Sequence, residues 1–203
     1  MKSLLLAELV RPAETVRRIL WWAFFAAIFL YMFVLYRITA GVPAVPILWP
    51  FAYGLAVVSV AMAVLSFLIS GILLSGSRLR NFLLTDPDPE VLARNPQTGN
   101  TDQNRLNRIK MMSPGDRRLL SAVPAFFGVY IVRLAFCESI ALFGLVLGQL
   151  SHSFPIILPF AAASALLMLT VSPSLDSSFE QANALLTRLA DAPGDAAPSP
   201  PRA

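Results

Sequence analysis

One cysteine and one histidine occur in 203 residues, and only 14 % of the chain is charged. The lone thiol, Cys137, rules out an intramolecular disulfide and a thiol-built metal cluster. The lone histidine, His152, has no carboxylate or second histidine beside it in sequence, so no metal site is expected. Charge is scarce in a patterned way, because acidic and basic residues are almost absent from four long apolar stretches. With 56 % hydrophobic residues and a mean hydropathy of +0.65, a soluble composition is excluded.

What is present instead is membrane-spanning pattern. A bilayer core needs roughly 20 predominantly apolar helical residues, and residues 19–38, 47–74, 122–150 and 154–171 each approach or exceed that length. The expected fold is all-α: an integral membrane four-helix protein made of two transmembrane hairpins, with amphipathic juxtamembrane helices. Residues 1–75 are read as an N-terminal interfacial segment and the first hairpin, 76–118 as a cytoplasmic loop, and 119–172 as the second hairpin. An amphipathic helix over 173–190 and a disordered, Pro/Ala-rich tail over 191–203 complete the chain.

Within this plan Pro12 is expected to start the helix of the first span, and the uncharged turn around Pro43 and Pro46 to close a tight hairpin. The first span is too long for the apolar core of a cleavable signal peptide and reads as a signal anchor. Ser113-Pro114-Gly115-Asp116 carries an N-cap serine, a proline at N1 and an acid at N3. One helix is therefore expected from Pro114 to about Gln149, roughly 54 Å long, with Pro124 as a kink. Asp88-Pro89-Glu90 starts a second, short helix, and the stretch NPQTGNTDQN after it is expected to be mobile.

The formal charge is +4, and apart from Arg37 and Arg133 every Lys and Arg lies in the N-terminus, the 76–118 loop or the C-terminal tail. The positive-inside rule then places both termini and that loop in the cytoplasm. Arg105, Arg108, Lys110, Arg117 and Arg118 form a cytoplasmic basic surface. It acts as a topology signal in one reading, and as a recruiter of cytoplasmic proteins or anionic lipid in another. Topology accounts for the basic residues, so no nucleic-acid partner is expected.

Arg133 and Glu138 are the only charges inside a span away from its edges. A charge at the bilayer centre costs at least about 2.5–3.5 kcal/mol and persists where something compensates it. Arg133 can snorkel, whereas Glu138 lies about eleven residues, or roughly 16 Å, from the outer turn. Five residues apart, the two are about 140° apart around the helix, awkward for an ion pair. Cys137, Ala141, Gly144 and Gly148 form a small-residue stripe beside Glu138, the expected helix-packing seam.

Residues 138–146, ESIALFGLV, resemble the ion-carrying helix of rotary ATPase proteolipid (c) subunits, in which a mid-membrane glutamate precedes an apolar stretch, an aromatic and a Gly-Leu-Val step. The resemblance spans about nine residues and implies proton or cation binding at Glu138 alone. Those subunits pair this helix with a glycine-rich one, whereas the second span here has only Gly54 and Gly71.

No nucleophile elbow, phosphate-binding glycine loop or metal-ligand cluster occurs in the sequence. The expected function is non-enzymatic and cofactor-free: an accessory or assembly subunit of a cytoplasmic (inner) membrane, partnered by the bilayer and by a membrane protein or a second copy. The alternative is a proton- or cation-translocating component that uses Glu138, with Arg133 setting its pKa or gating it.

Overall fold

The computed structural model describes residues 3–47, 49–75, 87–94, 99–171 and 173–191. Among them the chain is helical, with no strand beyond one isolated bridge between Arg94 and Thr101. The helices are α1 (Leu4–Thr39), α2 (Trp49–Ser75), α3 (Pro89–Ala93), α4 (Gln103–Lys110), α5 (Pro114–Leu150), α6 (Ile157–Thr170) and α7 (Asp176–Asp191). A 3-10 turn over Phe154–Ile156 leads into α6.

Capping chemistry sets the helix starts. The Ser113 hydroxyl accepts from the Asp116 N–H at 3.1 Å, with Pro114 supplying a preset φ at the first helical position. Asp88 caps α3 through the Glu90 N–H, and Asp102 caps α4 through the Asn104 and Arg105 N–H groups. Helix α5 runs 37 residues through Pro124. At 1.5 Å per residue it is about 55 Å long.

Helix α1 corrects one expectation. It does not restart at Pro12 but runs unbroken from a Ser3 cap to Thr39, with Pro12 inside. An interior proline costs roughly 3 kcal/mol. Burial of Leu6 and Val10, on the N-terminal side of Pro12, offsets that cost by extending the apolar stripe of α1 into a second core.

Three helices are long and apolar enough to cross a membrane: α1, α2 over Trp49–Ile69, and α5. Length and composition of this kind mark a membrane protein. The fourth apolar segment is shorter, running over Phe154–Thr170. Outward faces are apolar, with Trp22, Phe29 and Phe33 of α1 and Trp49, Tyr53, Val57 and Val60 of α2 exposed. In α2 the two buried side chains among those described are Ser59 and Ser66.

Helix α5 is the axis of the bundle. Helices α1, α2 and α6 each pack along it, and α1 also packs on α6. The expected tight pairing of the first two spans differs in detail: α1 and α2 touch each other little, and each uses α5 as its main neighbour. At the turn end the α1–α2 loop meets the α5–α6 turn, where the Val45 N–H donates to Ser151 O at 2.9 Å and Phe154 packs edge-on against Tyr36 of α1. The α1–α2 and α5–α6 turns therefore lie at the same end of the bundle.

At the opposite end stands a second core. Leu6 and Val10 of α1, Ala93 of α3, Leu106 and Ile109 of α4, Leu119 and Phe126 of α5, and Leu175 and Phe179 of α7 are buried together. The apolar faces of α4 and α7 thus cover a compact head rather than lying free. Arg108 of α4 ties the head to α1 through an ion pair with Glu8 at 2.6 Å. Of the stretch 95–104 expected to be mobile, residues 95–98 lie outside the described residues; the rest is held, with Arg94 Nε donating to Gly99 O at 2.9 Å, Asp102 N–H donating to Ala93 O, and Gln103 and Asn104 opening α4. Gly99 takes a positive φ of 71°, open to glycine without strain. Residues 76–86 of the expected cytoplasmic loop and the tail beyond residue 191 also lie outside the described residues.

Candidate functional site

The small-residue stripe of α5 is the place to build from. Cys137 and Ala141 are fully buried, and Gly144 and Gly148 are buried with them. A Cβ on Gly144 would stand 2.6 Å from the Phe160 Cβ of α6, so the glycine permits that approach. A Cβ on Gly148 would meet the Leu35 side chain of α1 and lie 3.2 Å from Ser153 O. At these two points the Phe160 and Leu35 side chains pack directly on the glycine backbone, seating α6 and α1 against α5.

Close packing brings polar groups together at a single level. The Tyr31 hydroxyl of α1 donates to Glu138 Oε1. One residue earlier on α5, Cys137 Sγ lies 3.7 Å from Ser66 Oγ of α2, and the Cys137 carbonyl accepts from Ser164 Oγ of α6 at 2.6 Å. Two consecutive residues of α5 therefore hold one polar contact to each of α1, α2 and α6. In a low-dielectric interior such bonds avoid unsatisfied groups whose desolvation is costly.

A second level lies nearer the head. The Tyr130 hydroxyl donates to Arg17 O at 2.8 Å, and the Arg17 guanidinium stacks over the Tyr130 ring at 4.1 Å. Cation–π contact of this kind compensates a buried guanidinium. Trp21 Nε1 donates to Met168 O at 3.1 Å, joining α1 to α6.

Arg133 is half-buried on α5, and its Nε is buried without a hydrogen-bond partner. It makes no ion pair with Glu138, whose partner is Tyr31. Among the basic residues of the head, Arg108 pairs with Glu8, Lys110 is exposed, and Arg117 and Arg118 sit half-buried on the first turns of α5. Arg105 lines a groove between α1 and α4.

Three cavities lined by described residues lie at the two ends of the bundle, and neither Glu138 nor Arg133 lines any of them. No group of three or more His, Cys, Asp or Glu is placed to hold a metal among the described residues. No family model, no curated protein and no solved structure matches this chain. Its chemistry is therefore read from its own residues.

The polar contact that sequence reasoning missed is Tyr31. It stands inside the 19–38 apolar stretch, away from either end. A tyrosine at mid-span depth, opposite a span with a mid-depth acid, was the available signal.

Proposed function

We propose that this chain is a non-enzymatic multi-pass protein of a cytoplasmic membrane, with four spans in two hairpins, both termini and the head in the cytoplasm, and an accessory or assembly role in a membrane complex. The observation that carries the reading is the use made of the intramembrane polar groups. Glu138, Cys137, Ser66, Ser164 and Tyr31 are committed to one another across four helices. Groups so committed act as interhelical glue.

A translocating component needs instead a polar path from Glu138 to at least one side. The outward faces of α1 and α2 carry large apolar side chains along much of their length, suited to lipid or to a partner's spans.

Proton flux into proteoliposomes decides between the two. Wild-type protein is expected to give no flux above empty vesicles, as is Glu138→Gln, with a lower melting temperature in the variant. Flux in the wild type that disappears in Glu138→Gln, the fold surviving, overturns the structural role and makes Glu138 an ion carrier.

A further inference from the structure

The groove between the head and the spans carries an unassigned chemistry. A cavity of about 420 Å³ lies between α1, α3, α4 and the start of α5. That volume falls within the roughly 300–1,000 Å³ of small-molecule sites. Its wall is apolar, built by Val10 and Ala13 of α1, Leu92 of α3, and Leu120, Val123 and Pro124 of α5. Two arginines, Arg94 and Arg105, also line it, and no acidic residue does.

The arginines are not consumed by the fold. Among the described residues Arg94 spends only its Nε, on Gly99 O. Arg105 makes no side-chain hydrogen bond among the described residues, and its Nε is buried without a partner there. The acids of the adjoining groove are already engaged, Glu8 by Arg108 and Asp102 by the N–H groups that open α4. A guanidinium fork matches phosphate oxygens two at a time.

Depth selects the source of the phosphate. Ala13 is four residues, about 6 Å, on the head side of Arg17. Arg17 is held against Tyr130 at the start of the apolar spans. A headgroup layer extends roughly 5–8 Å beyond the hydrocarbon core on each side. Pro124 of the wall is exposed, and Leu9 and Val123 are half-buried, so the apolar lining reaches the outer surface of the bundle.

We propose that this cavity binds an anionic phospholipid of the leaflet next to the head, with its phosphate on Arg94 and Arg105 and its glycerol and proximal acyl carbons on the apolar wall. The inference rests on the membrane reading but not on the accessory role. Charge complementarity supports the choice of ligand, and the mixed apolar and basic lining separates a lipid from a free anion. Lipid seated there bridges α1, α3, α4 and α5 and stiffens the joint between head and spans.

The test uses the full chain in nanodiscs of phosphatidylcholine with or without phosphatidylglycerol, reading the melting temperature and, after detergent extraction, the lipid retained in native mass spectra. Phosphatidylglycerol is expected to raise the melting temperature and to be retained preferentially. Both effects are expected to vanish in Arg94→Gln/Arg105→Gln and in Arg105→Gln alone, which removes no hydrogen bond, and to survive in Arg11→Gln/Lys110→Gln, an equal charge change on exposed residues outside the cavity. Equal loss in both double variants overturns the proposal in favour of general surface charge. Reproduction of the shift by inorganic phosphate in phosphatidylcholine discs overturns it in favour of a free-anion site. Recovery of the chain in the soluble fraction without detergent overturns the membrane reading and this inference together.

Discussion

The Tyr31 hydroxyl donates to the Glu138 carboxylate across the α1–α5 interface, 107 positions apart in the chain. One mid-span acid is thereby satisfied by a neutral donor, and Arg133, five residues away on the same helix, is left out of the pairing. The phenol gives the Glu138 side chain a hydrogen-bond partner on a neighbouring helix, so that polar group is satisfied inside the bundle.

Coupling between these two residues is the first expectation. Tyr31→Phe removes the donor and leaves the carboxyl without it, at an expected cost of about 1 kcal/mol, within the range of interhelical bonds measured in membranes. Glu138→Ala is expected to cost more than Glu138→Gln, which keeps an acceptor. The double variant Tyr31→Phe/Glu138→Ala is expected to be less destabilised than the sum of the singles, as measured by denaturant titration in detergent.

Glycine substitutions separate close approach from open space. Gly144→Ala forces a Cβ into the Phe160 side chain and Gly148→Ala forces one into Leu35, so each is expected to destabilise by about 1–3 kcal/mol. Gly128→Ala, whose Cβ would meet nothing within 4 Å, is expected to be neutral or slightly stabilising through helix propensity. Equal melting temperatures for all three would contradict the packing of α1 and α6 on α5.

The head gives a third. Phe179 is 2 % exposed and packs edge-on against Phe126. Phe179→Ala is expected to cost about 3–5 kcal/mol of the head's stability. It is also expected to open α7 to limited proteolysis while the helical content of the spans persists. A helix that merely rested on a membrane would show no such change in detergent.

A fourth concerns salt. The Glu8–Arg108 pair is half-exposed on both sides, so Glu8→Gln is expected to cost no more than about 1 kcal/mol. That small difference is expected to shrink further as ionic strength rises, which paired melting curves at low and high salt check.

By itself the sequence determined the local items: an all-helical chain, apolar segments of membrane length, the Ser113-Pro114 and Asp88-Pro89 starts, and a helix from Pro114 to within a residue of Leu150. These follow from caps, from proline's fixed φ and from runs of hydrophobicity, all of which act over a few residues. Only the tertiary structure decided that α1 continues through Pro12, because the burial of Leu6 and Val10 that offsets the proline is supplied by helices distant in sequence. It also decided that α4 and α7 turn their apolar faces into a common head core, since an amphipathic stripe states that a face is covered but not by what. The choice of Tyr31 over Arg133 as the partner of Glu138 belongs there as well. Helix periodicity fixes which residues share a face, and the side chains that stand opposite depend on how α1 and α5 are set against each other by Gly148 and Leu35.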